Sequence, residues 1–336
     1  MHLFPTLRNY KKENLGKDIL AGLIIMAVSI PISMGYAQIA GLPAVYGLYG
    51  SVLPILFFAV FSTSPQFIFG VDAAPAALVG SALLSMGIES GSEEAMRAVP
   101  VLTLFVALWL FAFSYMKAGK LVNYISAPVM GGFITGICTT IILMQIPKLF
   151  GGSAGVGEFF ELAAHIGESL EKLNLPSLLL GLFALFILLL SKKLIPKFPM
   201  AVLLMAAGAC MTKFLPFKKW GVVTLSAVEP GLMPFALPDI SVIPVREAVT
   251  ISLSVAIVIM AETLLAENSF AQKNGYRIND NQEIFAFAMG NLIAALTGCC
   301  PINGSVSRTA MGEQYQAKTQ FTGIVAGISM MILLLF

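Results

Sequence analysis

Charge is the property that this sequence lacks most. Only 11% of its residues are charged, whereas 57% are hydrophobic. A soluble globular domain carries about 25% charged residues, so this chain has too few to cover a surface that faces water. Its net charge of +2 is also too small to indicate a nucleic-acid partner. The composition excludes an ordinary soluble domain and indicates that lipid surrounds most of the exterior.

Metal ligands and catalytic groups are scarce as well. The two histidines are far apart in the sequence, and no pair of the four cysteines has zinc-ligand spacing. We interpret the adjacent Cys299 and Cys300 as packing residues, because a disulfide between neighbouring cysteines is strained. The sequence offers no convergent set of nucleophile and base. We therefore expect no metal, no cofactor and no enzymatic activity.

Long apolar runs dominate what is present. A helix needs about 20 apolar residues to cross a bilayer, and nine runs approach this length: 19–41, 44–61, 98–116, 125–147, 176–191, 198–214, 247–266, 282–298 and 320–336. Two further stretches, 72–87 and 305–315, are too short or too polar to cross alone, and we interpret them as half-helices. The pattern predicts an all-α, multi-pass membrane protein.

The charges orient these segments. Short basic loops favour the cytoplasmic side, and this sequence concentrates lysine and arginine before the first span and in later loops: Arg8, Lys11, Lys12, Lys17, Lys117, Lys120, Lys192, Lys193, Lys197, Lys273 and Arg277. The loop with Glu89, Glu93 and Glu94 is acidic instead. We predict a cytoplasmic N-terminus in the inner (plasma) membrane.

The two half-helices predict a binding site. Backbone amides cannot stay bare in hydrocarbon, and paired interrupted helices are the best sequence indication of a transporter's binding site. The first begins near Gly70-Val71-Asp72-Ala73, and the second begins near Gly304-Ser305-Val306-Ser307-Arg308. A single glycine would more simply be a kink. Two helix starts carry partial positive charge, and with Arg308 they favour an anion.

Glu262 lies inside an otherwise apolar span, where an ionised carboxylate costs several kcal/mol. It needs a proton, a cavity or a partner, and a structural ion pair with Arg308 is one alternative. Sodium would need several oxygen ligands, yet Ala266, one turn further on, offers none. We therefore prefer a proton over sodium as the coupling ion. Glu267, near the predicted end of this span, is expected to be exposed to solvent.

Ordered motifs over nearly the whole chain resemble the sulfate permease (SulP) transporters. They are Ile30 to Pro43 with Val45 to Tyr49, Ser62-Thr63-Ser64 with Gly70 to Ala73, Ser126 to Met130 with Gly132 to Gly136, Asn281-Gln282-Glu283, Gly304 to Arg308, and Ala317 to Gln320. Two positions depart from the family pattern. Ile32 stands where a glutamine is common, and Val71 stands where a proline is usual.

The resemblance implies an inverted-repeat transporter fold with core and gate domains. Two repeats of seven segments would be followed by a cytoplasmic STAS domain, and the complete protein would form a homodimer. This sequence would supply the first repeat in residues 1–214, an external connection in 215–246 and a partial second repeat in 247–336. Because the chain stops within an apolar run, we expect a truncated product without the last three segments or the STAS domain.

The resemblance also implies a function, secondary transport of a small anion such as sulfate, bicarbonate or a dicarboxylate. The anion would bind between the two half-helix starts, and Glu262 would couple its movement to a proton. The residues expected to bind the anion are Tyr36, Gln38, Asp72, Ala73, Gly304, Ser305, Ser307 and Arg308. For Tyr36 and Gln38, packing is an equal alternative. An exchanger or channel-like protein without cation coupling is the alternative function.

Overall fold

The computed structural model describes residues 3–8, 10–122, 127–153, 155, 159–195, 198–224, 231 and 233–335. Ser126, which opens one of the motifs above, lies outside these ranges. Apart from short 3-10 turns, the elements are α1 (Leu15–Ile39), α2 (Ala44–Tyr49), α3 (Leu53–Phe61), β1 (Phe69–Gly70), α4 (Ala73–Ser85), α5 (Glu93–Tyr115), α6 (Gly119–Val122), α7 (Ala127–Leu149), α8 (Phe159–Glu171), α9 (Leu175–Leu194), α10 (Met200–Phe214), α11 (Val245–Asn274), α12 (Asp280–Leu296), β2 (Asn303–Gly304), α13 (Val306–Gln314) and α14 (Phe321–Leu335).

The helices confirm the predicted all-α membrane class. Within the described ranges, five helical segments are long and apolar enough to cross a membrane: 12–39, 44–61, 93–115, 175–194 and 245–274. The predicted half-helices correspond to α4 and α13, which have 13 and 9 residues. Two features differ from the prediction. The run 44–61 is broken into α2 and α3, and α11 continues well beyond residue 266 to Asn274.

The break between α2 and α3 has a local cause. Pro54 occupies the first turn of α3, where its missing amide hydrogen leaves no helical bond unmade. Gly47 in α2 lies so close to α1 that an added Cβ would fall 2.0 Å from the carbonyl oxygen of Ser33. Helix α2 therefore packs against α1 by backbone contact, which a larger side chain at position 47 would prevent.

The chain divides into two compact units, residues 1–132 with 229–336, and residues 133–228. In the first unit, α12 packs against α5 and α3, and α1 packs against α14 and α2. Three buried aromatic rings stack where α3, β1 and α12 meet. The ring centroid of Phe69 lies 4.7 Å from that of Phe58 and 5.3 Å from that of Phe287. This stack anchors β1 inside the unit.

The sequence did not predict the strand pair of the first unit. Antiparallel pairing places Phe69 opposite Gly304 and Gly70 opposite Asn303. Each strand leads directly into a half-helix, β1 into α4 and β2 into α13. Because the strands are antiparallel, the two half-helices leave the pair in opposite directions. Their N-terminal ends are thereby held next to one another.

Side-chain amides satisfy the irregular backbone around this pair. The Nε2 of Gln320 donates to the carbonyl oxygens of Ser64 and Phe67, each at 2.7 Å. Asn291 accepts from the backbone amide of Ile302 at 2.9 Å and donates to its carbonyl oxygen at 3.1 Å. The Nε2 of Gln66 donates to the carbonyl oxygen of Ala317 at 2.7 Å. These contacts supply the partners that hydrocarbon could not.

The second unit contains most of α7 together with α8, α9 and α10. Asn174 caps α9, because its side-chain oxygen accepts from the amide of Ser177 at 2.9 Å. Its Nδ2 donates to the carbonyl oxygen of Trp220 at 2.9 Å. The boundaries of these two units differ from the repeat boundaries at 214 and 247 that we expected from the sequence. The division into repeats stays a prediction.

Replacing Gly47 with alanine should destabilise the first unit, since the new Cβ would overlap the Ser33 carbonyl. Overpacking of this kind typically costs about 1–3 kcal/mol. The matched control is Gly208→Ala in α10, where an added Cβ meets nothing within 4 Å. Thermal unfolding in detergent should show a lower melting temperature for Gly47→Ala and an unchanged or higher one for Gly208→Ala. Equal melting temperatures for the two variants would contradict the backbone contact.

Candidate functional site

Arg308 occupies the centre of the first unit. It lies in the first turn of α13, and its side chain is fully buried. Nη2 donates to the carbonyl oxygen of Val71 at 2.7 Å and lies 3.6 Å from Oδ2 of Asp72. Nη1 donates to the hydroxyl of Ser29 at 3.4 Å. The guanidinium also lies against Gly70, where an added Cβ would be 3.0 Å from Nη1. Arg308 thus joins α13 to α1 and to the start of α4.

The two half-helix starts are not equivalent. At α4, the Asp72 side chain accepts from the amide of Ala73 at 2.7 Å, so this start already holds a carboxylate. At α13, Ser305 occupies the N-cap position but makes no side-chain cap hydrogen bond. The first-turn amides of α13 therefore lack the acceptor that a serine cap usually supplies. The start of α13 therefore offers more open donors than the start of α4.

Glu262 belongs to a polar network at β2. Its Oε2 accepts from Nδ2 of Asn303 at 2.6 Å. Thr263 donates to Oδ1 of Asn303 and accepts from the amide of Gly304 at 3.1 Å. Gly304 must be glycine here, because an added Cβ would lie 2.2 Å from the ring of Phe67. The carboxylate of Glu262 is therefore held by the strand that leads into α13.

Tyr36 brings α1 into the same cluster. It is half-buried and lies near the charges of Asp72, Arg308 and Glu262. Ser29, which contacts Arg308, precedes it by seven residues, so both lie on the same face of α1. Gln38 is two residues after Tyr36, which turns it about 200° away on a helix. Its side chain is exposed, and the structure does not place it with the others.

The structure thus gathers most of the residues that the sequence singled out. Ser305 is buried, Ser307 is exposed, and their hydroxyl oxygens lie 3.3 Å apart at the start of α13. The amides of Ala73 and Gly304 already have protein acceptors. Sequence reasoning assigned no role to Asn303, Thr263 or Ser29. Helical spacing from Tyr36 could have suggested Ser29, but the contact of Asn303 with Glu262 depends on the fold.

Two expectations need correction or refinement. Glu267 is not exposed to solvent but fully buried, because α11 extends past it to Asn274 and Glu283 of α12 lies beside it. Glu262 does not pair with Arg308, since its partner is Asn303 and the partner of Arg308 is Asp72.

The sulfur atoms of Cys299 and Cys300 lie 3.9 Å apart, and both thiols are free and buried.

Half-helices whose starts meet at a shared strand pair are typical of membrane transporters. Comparison with known proteins gives the family. The model of the sulfate permease family matches residues 15–336. The chain therefore belongs to the sulfate permease family, which is a family of transporters and not of enzymes.

Curated relatives are similar over nearly all of this chain. A probable sulfate transporter of Mycobacterium tuberculosis is 28% identical over 329 residues, covering 98% of this chain and 59% of the relative. A sulfate transporter of Bubalus bubalis is 27% identical, covering 96% of this chain and 49% of the relative. The chain thus spans about half the length of the curated relatives it matches.

Solved structures share the fold. The murine anion transporter Slc26a9 in its inward-facing state superposes with a TM-score of 0.83 at 24% identity, covering 98% of this chain and 58% of that one. The transmembrane domain of the cyanobacterial bicarbonate transporter BicA gives a TM-score of 0.78 at 17% identity, covering 97% of this chain and 84% of that one.

Replacing Asp72 with asparagine should destabilise the protein, because it leaves the buried charge of Arg308 without its counter-ion. Removing one partner of a buried ion pair typically costs about 3–5 kcal/mol, and the partial exposure of Asp72 places the expected loss near the lower end of this range. The control is Glu313→Gln, which breaks the exposed ion pair with Lys273 and should cost about 0–1 kcal/mol. Melting temperatures of the two variants measure the difference. A loss for Asp72→Asn no larger than for Glu313→Gln would show that Asp72 does not neutralise Arg308.

Proposed function

We propose that this protein forms the membrane part of a proton-coupled transporter of a small anion, and that the anion binds at the start of α13 beside Arg308, Asp72 and Tyr36. The open amides of that helix start, together with the hydroxyls of Ser305 and Ser307, offer donors to an anion. The set expected from the sequence also includes Ala73, Gly304 and Gln38. These give less support, because the amides of Ala73 and Gly304 already have protein acceptors and the side chain of Gln38 is exposed.

The main support for this proposal is the net charge of the cluster formed by Arg308, Asp72 and Glu262. Arg308 contributes one positive charge, and Asp72 and Glu262 contribute one negative charge each when ionised. The cluster is then negative overall and repels an anion. A proton on Glu262 makes it neutral, so that the helix start can attract the anion. Anion and proton would therefore bind together.

A proton suits this position better than sodium does. The neighbours that contact Glu262 and its network, Asn303 and Thr263, are already committed to one another and to Gly304. A hard cation wants several free oxygen ligands, and these groups offer few. A proton needs only one oxygen of the carboxylate.

The class of anion is proposed from the relatives. Those described above are named as transporters of sulfate and of bicarbonate, and helix starts accept any small anion of this kind. An anion exchanger or channel-like protein without cation coupling is the second candidate. The capping of α4 by Asp72 favours it, because a built-in carboxylate that yields to a substrate anion would permit exchange without a proton.

Anion affinity should rise as pH falls, because protonation of Glu262 removes a negative charge from the cluster. By linkage, one coupled proton changes the affinity by at most about tenfold per pH unit. Glu262→Gln fixes the neutral state, so this variant should bind the anion and lose the pH dependence. Titration calorimetry with sulfate, chloride and succinate between acidic and alkaline pH, with and without sodium, measures the effect.

Each outcome of this titration separates the candidates. A pH dependence that persists unchanged in Glu262→Gln would exclude Glu262 as the coupling residue. An affinity that depends on sodium and loses this dependence in the variant would favour sodium coupling. Affinities that respond to neither pH nor sodium would favour the exchanger or channel-like alternative.

The proposed orientation in the inner (plasma) membrane places the start of α5 outside and the end of α9 in the cytoplasm. Cysteines introduced one at a time at Glu93 and Lys193, both exposed, should therefore label from opposite sides in a background that carries Cys138→Ser and Cys210→Ser. The two native cysteines that remain, Cys299 and Cys300, are buried. An impermeant maleimide added to intact cells should modify Glu93→Cys only. The control is the background protein without an introduced cysteine. Modification of Lys193→Cys in intact cells would contradict the proposed orientation.

A further inference from the structure

A second pair of carboxylates lies in the first unit, outside the cluster of Arg308, Asp72, Glu262 and Tyr36, which we call the anion cluster. Glu267 on α11 and Glu283 on α12 are both fully buried. Glu267 lies within hydrogen-bonding reach of Glu283, and Asp280 and Tyr276 are further neighbours. The ion pairs within the described ranges are Lys273 with Glu313 and Arg308 with Asp72. Neither joins a basic residue to Glu267 or Glu283.

Glu283 has the environment of an ionised carboxylate. Its Oε2 accepts from the hydroxyl of Ser62 at 2.8 Å. Its Oε1 accepts from the amide and hydroxyl of Thr63 and from the amide of Ser64 at 3.1 Å. Several donors of this kind stabilise the charged form. They also tie α12 to the segment that leads into β1.

Glu267 has the opposite environment. Both of its carboxylate oxygens are buried, and neither accepts a hydrogen bond from any described residue. An ionised carboxylate without donors, next to another carboxylate, would carry the full penalty of buried charge. A protonated one would instead be a donor.

We propose that Glu267 and Glu283 form a second proton-binding site, in which Glu267 holds the proton and its O–H donates to Glu283. The Oε2 of Glu283 has room, since it accepts one bond from Ser62 and a carboxylate oxygen can accept two. Two adjacent carboxyl groups then share one negative charge, as coupled acids do. The proton holds α11, which also carries Glu262, against α12.

This proposal is independent of the transport mechanism, because infrared spectroscopy detects the protonated acid directly. The purified chain in lipid should show the C=O stretching band of a buried carboxylic acid at neutral pH, and this band should shift in D2O. Glu267→Gln should remove one acid equivalent from the band. Glu313→Gln should leave it unchanged, because Glu313 is ion-paired with Lys273 at the surface. Glu262→Gln measures any contribution from the anion cluster separately.

Thermal unfolding provides the second readout. Glutamine at position 267 keeps a donor towards Glu283, so Glu267→Gln should keep the wild-type melting temperature. Glu283→Gln removes the charged acceptor of four donors and should lower it clearly. An unchanged acid band in Glu267→Gln would overturn the proposal. So would equal destabilisation by the two variants, or a rise in melting temperature with sodium or potassium that Glu267→Gln abolishes, since that would identify a bound metal cation instead.

Discussion

The buried guanidinium of Arg308 is the constraint on which the centre of this molecule depends. A fully buried charge needs both a counter-ion and hydrogen-bond acceptors. Without them, the free-energy cost of its desolvation would exceed the stabilisation from its contacts. Asp72 and the carbonyl of Val71 supply them from the start of α4, and Ser29 supplies one from α1. Arg308 therefore dictates that the two half-helix starts and α1 meet at one point.

The strand pair serves the same arrangement. Residues 69–70 and 303–304 are too few to form a sheet with a core of its own, yet their pairing brings Gly70 against the guanidinium and Asn303 against Glu262. Glycine at 70 and 304 allows this close approach. The strands, Arg308 and Glu262 are thus one interdependent unit, and a change in the charge of Glu262 acts on a backbone that already holds the start of α13.

Much of this fold could be predicted from sequence because the bilayer imposes a length on apolar runs. The half-helices α4 and α13 were predicted from their short length and glycines, and Arg308 from its charge. The pairing partners could not be predicted in the same way. Arg308 meets Asp72 and Glu262 meets Asn303 because of how the fold places the two half-helix starts, and no sequence periodicity encodes this.

The error at Glu267 has a similar origin. Composition placed it just past the end of an apolar span, where solvent exposure is common. Helix α11 in fact continues to Asn274, and Glu283 of α12 lies beside Glu267 in this second half. The result is a buried carboxylate whose surroundings differ from those of Glu262, although both lie on one helix. Burial of that kind depends on tertiary packing, which a single span does not reveal.

The central claim is that the charge of the anion cluster is balanced by a proton on Glu262. The most direct test is proton uptake when an anion binds, measured with a pH-indicator dye in weakly buffered solution of the purified protein. We predict that adding a binding anion, identified among sulfate, chloride and succinate by thermal shift, draws protons from solution in the wild type and draws none in Glu262→Gln. Binding without proton uptake in the wild type, or equal uptake in the variant, would contradict the account.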